Sequence, residues 1–154
     1  MDLEQRLRQD LEDALRAGDE RRKRVIRMSL TAITNAEIEK GRQSGDTELD
    51  EGELVAVLQR QAKQRRETID ELAETDRPEL LAEEEGELAI LEAYLPEQLS
   101  TEQIAAEARE VIDEIGATGI RDVGPVMGRL MSRLKGRADG HIVNRIVREL
   151  LSSR

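Results

Sequence analysis

The sequence predicts an all-α protein, and three observations carry that reading. Apolar residues recur at three-four spacing almost from one end of the 154-residue chain to the other. Phe and Trp are absent and Tyr94 is the one aromatic residue, so the aromatic enrichment that marks strands is missing. The candidate helices are bounded by residues that begin or end helices, with Asp, Ser or Pro before them and Gly after. The core must then be Leu, Ile, Val, Met and Ala packed helix on helix. A chain of this length suits one ordinary domain or two small ones. The elements divide it into two helical bundles, a four-helix part over residues 1–95 and a smaller three-helix part over 96–154.

Leu3, Leu7, Leu11 and Leu15 mark the first helix, stopped near Gly18. Asp19 is placed to cap the second, which turns Ile26, Leu30 and Ile33 inward and ends just before Gly41. The segment GRQSGDTELDEG, residues 41–52, reads as a polar loop whose Asp50 caps a third helix carrying Leu54, Leu58, Ile69 and Leu72. Pro78 suits the first turn of a fourth, with Leu81, Leu88, Leu91 and Leu95 on one stripe and Pro96 at its end. Ser100 and Gln103 form a capping box for the fifth helix, in which Ile104, Val111, Ile112 and Ile115 face one way until Gly116. Val123, Val126, Met127, Leu130, Met131 and Leu134 line the sixth. Ile142, Val143, Ile146, Val147, Leu150 and Leu151 line the seventh.

Charge divides at the same boundary. Residues 1–95 hold 15 cations and 25 anions, the whole of the net charge of −10, whereas residues 96–154 hold nine of each. Within that neutral part, residues 121–154 carry eight cations against three anions. In LKGRADG, residues 134–140, Gly136 suits a left-handed helix stop and Asp139 can cap the helix that restarts. Exposed N–H groups at the restart, with Arg133, Lys135 and Arg137 beside them, form the arrangement expected of a phosphate site. The alternative is a capped turn with solvated cations. His141 falls in the first turn after it. Gly124 and Gly128 lie four apart in the sixth helix, where glycine costs about 1 kcal/mol relative to alanine; close packing is the expected compensation, and close approach of a ligand is the alternative. The cluster RRKRVIR, residues 21–27, reads as a salt-bridged solvated face, since Asp13, Asp19 and Glu20 are near it, with an extension of a nucleic-acid track as the alternative.

Several chemistries are excluded. Without cysteine there is no disulfide, thiolate nucleophile or Cys-ligated zinc. The acidic run Glu83, Glu84, Glu85, Glu87 lacks the Glu-x-x-His pairs of a di-iron bundle. Residues 46–57 place a glycine and Val57 where a calcium loop needs other residues. GATG, residues 116–119, has the form of a KH-type clamp but reads as a helix cap. No P-loop, dinucleotide fingerprint or nucleophile elbow occurs, so no catalytic residue, metal ligand or cofactor is expected. No apolar run reaches the roughly 18 residues of a membrane span and the acidic start MDLEQRL is unlike a signal peptide. A cytoplasmic protein without membrane contact is expected.

Ile26-Arg27-Met28, the Tyr94-Leu95-Pro96-Glu97-Gln98-Leu99 segment, and Gly124, Met127, Gly128, Met131, Lys135, Gly136, Arg137, Ala138 and Asp139 together resemble the GatB/YqeY family. The resemblance covers nearly the whole chain, in the manner of a free-standing YqeY-like protein. It implies two α-helical bundles, the module that also forms the C-terminal tail of the B subunit of a glutamine-dependent amidotransferase acting on Glu-tRNA(Gln) or Asp-tRNA(Asn). There the tail helps to hold tRNA, while chemistry occurs in a catalytic region that has no counterpart here. The expected function is thus a tRNA-binding accessory, with Arg129, Arg133, Lys135, Gly136, Arg137, His141 and Arg145 as the RNA-contacting residues and no DNA partner. With Tyr94 the lone aromatic, recognition would rest on backbone and shape rather than base stacking. The negative N-terminal part would hold affinity down. The alternatives are an adaptor that docks an aminoacyl-tRNA synthetase or amidotransferase subunit, and a family-inherited carbon-nitrogen ligase activity with glutamine as amide donor.

Overall fold

A computed structural model describes residues 1–134 and 136–153. Among these there are seven α-helices, one short 3-10 turn and no β-strand. The fold is all-α, as the spacing of apolar residues predicts. By packing, the chain falls into two compact units, Met1–Leu95 and Pro96–Arg154.

The first unit contains α1 (Leu3–Ala17), α2 (Glu20–Ser44), α3 (Glu51–Ala73) and α4 (Pro78–Glu92). The 25-residue α2 packs against each of the other three. Leu3, Leu7, Val25, Ile26, Ile33, Leu54, Leu58 and Leu91 are buried in its core. Asp2 and Asp50 cap α1 and α3 in full capping boxes, Asp19 caps α2, and Pro78 stands in the first turn of α4. Tyr94 closes this unit: its ring is buried beneath the Arg6 guanidinium, 5.4 Å from the centroid, and its hydroxyl donates to Asp10.

Two details differ from the sequence reading. Leu15 is exposed and Ala14 is buried in its place. Each step of four residues rotates about 40° around a helix, so three steps from Leu3 carry Leu15 about 120° off the core. The second helix also runs through Gly41 and ends at Gly45, which takes the left-handed conformation with φ +79°. Gly41 serves the returning loop instead, since a Cβ there would stand 2.8 Å from Thr47 Cγ2. Lys40 holds the same loop through Glu48 O at 2.6 Å and Glu53 at 2.8 Å.

The second unit contains α5 (Thr101–Ile115), the 3-10 turn Ile120–Asp122, α6 (Val123–Leu134) and α7 (Gly140–Ser152). Each of its three helices packs on the other two. Ile104, Val111, Ile112, Val126, Leu130, Leu134, Val143 and Val147 fill the core between them. The Ser100–Gln103 capping box opens α5 and Gly116, at φ +75°, closes it.

Candidate functional site

The candidate cations lie on α6, on the turn after it and on α7. Their availability depends on what faces them. Glu107, Glu110 and Glu114 of α5, at i, i+3 and i+7, lie within about 60° of one another around the helix. That acidic face meets α6. Arg133 pairs with Glu107 at 2.8 Å, with Glu114 at 3.3 Å and with Glu110, and Arg129 pairs with Glu114 at 3.3 Å. Partial burial pulls the Arg133 guanidinium toward losing its proton, but the three carboxylates outweigh it and fix the charge more firmly than usual. Glu107 Oε2 is a buried atom whose contact with Arg133 lacks hydrogen-bond alignment, so the pairing is ionic. Arg129 and Arg133 therefore do not stand free for a phosphate. The sequence reading missed this because their partners sit about twenty residues upstream on another helix.

The turn is also occupied by its own groups. Lys135 lies outside the described residues. Gly136 takes φ +79° and its carbonyl accepts from Gln98 Nε2 at 3.2 Å. Arg137 is half-buried; its Nε donates to Leu134 O at 3.3 Å, and its carbonyl accepts from the Leu99 N–H at 2.8 Å. Asp139 caps α7 by accepting from the His141 N–H at 2.8 Å. That carboxylate brings its own negative charge to the place where an incoming anion would meet the helix N-terminus. The expected phosphate site at the restart is thus filled from within the chain. The glycines correct a second expectation: Gly124 and Gly128 are exposed, and beyond the backbone of their own helix and their chain neighbours no atom of the described residues lies within 4 Å of a Cβ added at either. Packing inside this chain does not explain them.

What remains open is the outer face of α7. His141, Arg145 and Arg148, at i, i+4 and i+7, lie within about 60° on the helix and all are exposed. No carboxylate pairs with them among the described residues, and Arg148 is steadied by Asn144, whose Oδ1 accepts from its Nε at 2.8 Å. Arg145 also borders an open groove along α5 and α7 with Arg109, Glu102 and Ile146. Arg148 was absent from the residues singled out by sequence, although its spacing from His141 and Arg145 is a helical one and could have revealed it.

In the first unit the cluster at residues 21–27 is largely neutralised, as expected of a salt-bridged face. Arg22 pairs with Asp10 at 3.6 Å, Lys23 with Glu20 at 2.8 Å, and Arg24 with Glu83 at 3.1 Å and Glu87 at 2.6 Å. The acidic run of α4 faces arginines, and no group of His, Asp or Glu suited to a metal ion occurs among the described residues.

A family model described as Yqey-like protein matches residues 4–151. The chain is similar to the "Altered inheritance of mitochondria protein 41, mitochondrial" of Pyrenophora tritici-repentis, 28% identical over 155 residues that take in 97% of this chain and 81% of that protein. It is 34% identical over 114 residues to the protein of that name from Eremothecium gossypii, covering 73% of this chain and 60% of that one. For the Kluyveromyces lactis protein the figures are 36% over 112 residues, 71% and 58%. The chain thus spans well under two thirds of the length of the latter two. These names overturn the expectation of a cytoplasmic protein, since the relatives are called mitochondrial. That expectation rested on the want of a membrane span and on the acidic start MDLEQRL. No described helix is long and apolar enough to cross a membrane, but this does not fix a compartment.

Proposed function

Because this chain belongs to the Yqey-like protein family, we propose that it is a tRNA-binding accessory protein whose second unit holds RNA through the outer face of α7. The observation that carries the reading is the stripe of His141, Arg145 and Arg148, whose exposed side chains pair with no carboxylate among the described residues, on a unit that bears none of the chain's net charge. Guanidinium groups along one helix face suit a row of phosphates. The unit contains no Phe, Tyr or Trp, so it has no aromatic platform for unstacked bases and its contacts are with backbone. This keeps the likeness to the tRNA-holding tail described above and moves the contact from the turn to the helix that follows it.

The test is filter binding of total tRNA over a series of salt concentrations. Each phosphate contact contributes about 0.7 to 0.9 to the log-log salt slope, so R145E/R148E should flatten it by about 1.4 to 1.8. E110Q/E114Q should steepen it by about 1, since Arg129 loses its partner and Arg133 keeps only Glu107. Absent binding at low salt, or a slope indifferent to R145E/R148E, refutes the proposal.

One observation favours a second reading, an adaptor that docks a synthetase or amidotransferase subunit. The bare face at Gly124 and Gly128 would let a partner's backbone come close. That reading predicts a protein complex that survives both nuclease and R145E/R148E.

A further inference from the structure

The two sequence stretches Pro96–Leu99 and Gly136–Arg137 lie far apart in the chain and are joined by hydrogen bonds. Gln98 Nε2 donates to Pro96 O at 2.9 Å and to Gly136 O at 3.2 Å, and the Leu99 N–H donates to Arg137 O at 2.8 Å. The segments on either side do not depend on this docking. Leu95 is buried in the first unit and its N–H is satisfied by Glu92 O at 3.1 Å, while α5 is opened by its own capping box at Ser100. The four residues between are held weakly by comparison. Glu97 is exposed and Leu99 is half-buried at the edge of the core, whereas Val111, Leu130, Val143 and Val147 inside it are fully buried. A segment with few contacts beside a closed core opens at far lower cost than the core itself.

We propose that Pro96–Leu99 is a releasable strap. Docked, it fixes the Gly136–Arg137 turn. Released, it frees four residues, about 13 to 14 Å when extended, and leaves the core of the second unit intact. Gln98 is the residue that positions it, because one carboxamide nitrogen bonds both the strap's own carbonyl and the turn's.

Native-state hydrogen exchange on the full chain tests this without reference to RNA. The Leu99 amide should exchange about a hundredfold faster than those of Val111 and Leu130, which open only with the unit as a whole. Gln98→Ala should speed Leu99 by about a further tenfold and leave the other two unchanged. Equal rates at all three amides in the unaltered protein would show that the strap opens only on global unfolding and would overturn the proposal. So would a Gln98→Ala variant that accelerates all three together, or one that leaves Leu99 untouched.

Discussion

Replacing Glu87 with Gln should destabilise the first unit by about 3 kcal/mol at neutral pH. Glu87 is only 5% exposed, yet it is a charged residue on α4. Its Oε1 accepts from Arg24 of α2 at 2.8 Å, and its Oε2 accepts from Arg65 of α3, whose side chain is 12% exposed. One carboxylate therefore ties three helices together. Breaking a buried pair by removing one partner costs about 3 to 5 kcal/mol. The low end applies here, because Arg65 keeps Glu84 at 3.2 Å and Arg24 is half-exposed, where a pair is worth at most about 1 kcal/mol. The same geometry fixes the pH dependence. Burial pushes the Glu87 carboxyl up, but the hydrogen bond from Arg24 and the charge of Arg65 outweigh it and hold it below its ordinary value. A depressed carboxylate stabilises fully above its unfolded value of about 4.3 and loses that contribution as pH falls through the folded one. Urea unfolding of the wild-type chain and of Glu87→Gln at pH 7 and in steps below pH 4.5 should show a gap that closes in acid. A gap under about 0.5 kcal/mol at pH 7, or one that persists undiminished in acid, refutes the reasoning.

Two further outcomes follow from the packing. Burial first, and then the Asp10 carboxylate that accepts its hydroxyl, push the Tyr94 phenol up to about 12; absorbance titration should find no normal tyrosine ionisation near pH 10, and the stability that this group contributes should be lost as pH rises through the higher value. Gly124→Ala and Gly128→Ala should each stabilise the second unit by up to about 1 kcal/mol in thermal unfolding, because both sit in α6 with nothing within 4 Å of the added methyl; destabilisation at either would show an unseen constraint.

The fold was legible because its information is local. Asp19, Asp50, Ser100 and Asp139 each cap the helix that their position announces, and Gly18, Gly116 and Gly136 each take the left-handed turn. The errors arise where a residue's role is set by a distant segment. Gly41 resembles a helix stop in sequence, yet it is placed by Thr47 returning over it. Gly124 and Gly128 suggested a close packing that none of the described residues provides. The docking role of Gln98 carried no signal of its own, since the second carbonyl that it bonds belongs to Gly136, almost forty positions away.

The candidate site shows the same division in electrostatic terms. Counted along the chain, residues 121–154 hold an excess of five positive charges, and that sum treats Arg129, Arg133 and Arg145 alike. In the folded unit α5 spends three carboxylates on the first two and none on the third. A paired charge presents a dipole whose field dies within the length of the pair, while an unpaired one is felt to about a Debye length, roughly 8 Å at physiological salt. The attraction that the proposed polyanion would meet on this unit is therefore set by α7 and not by the helix with the denser cationic flank. Helix periodicity, applied to the acids of α5 as well as the bases of α6, is what separates the two.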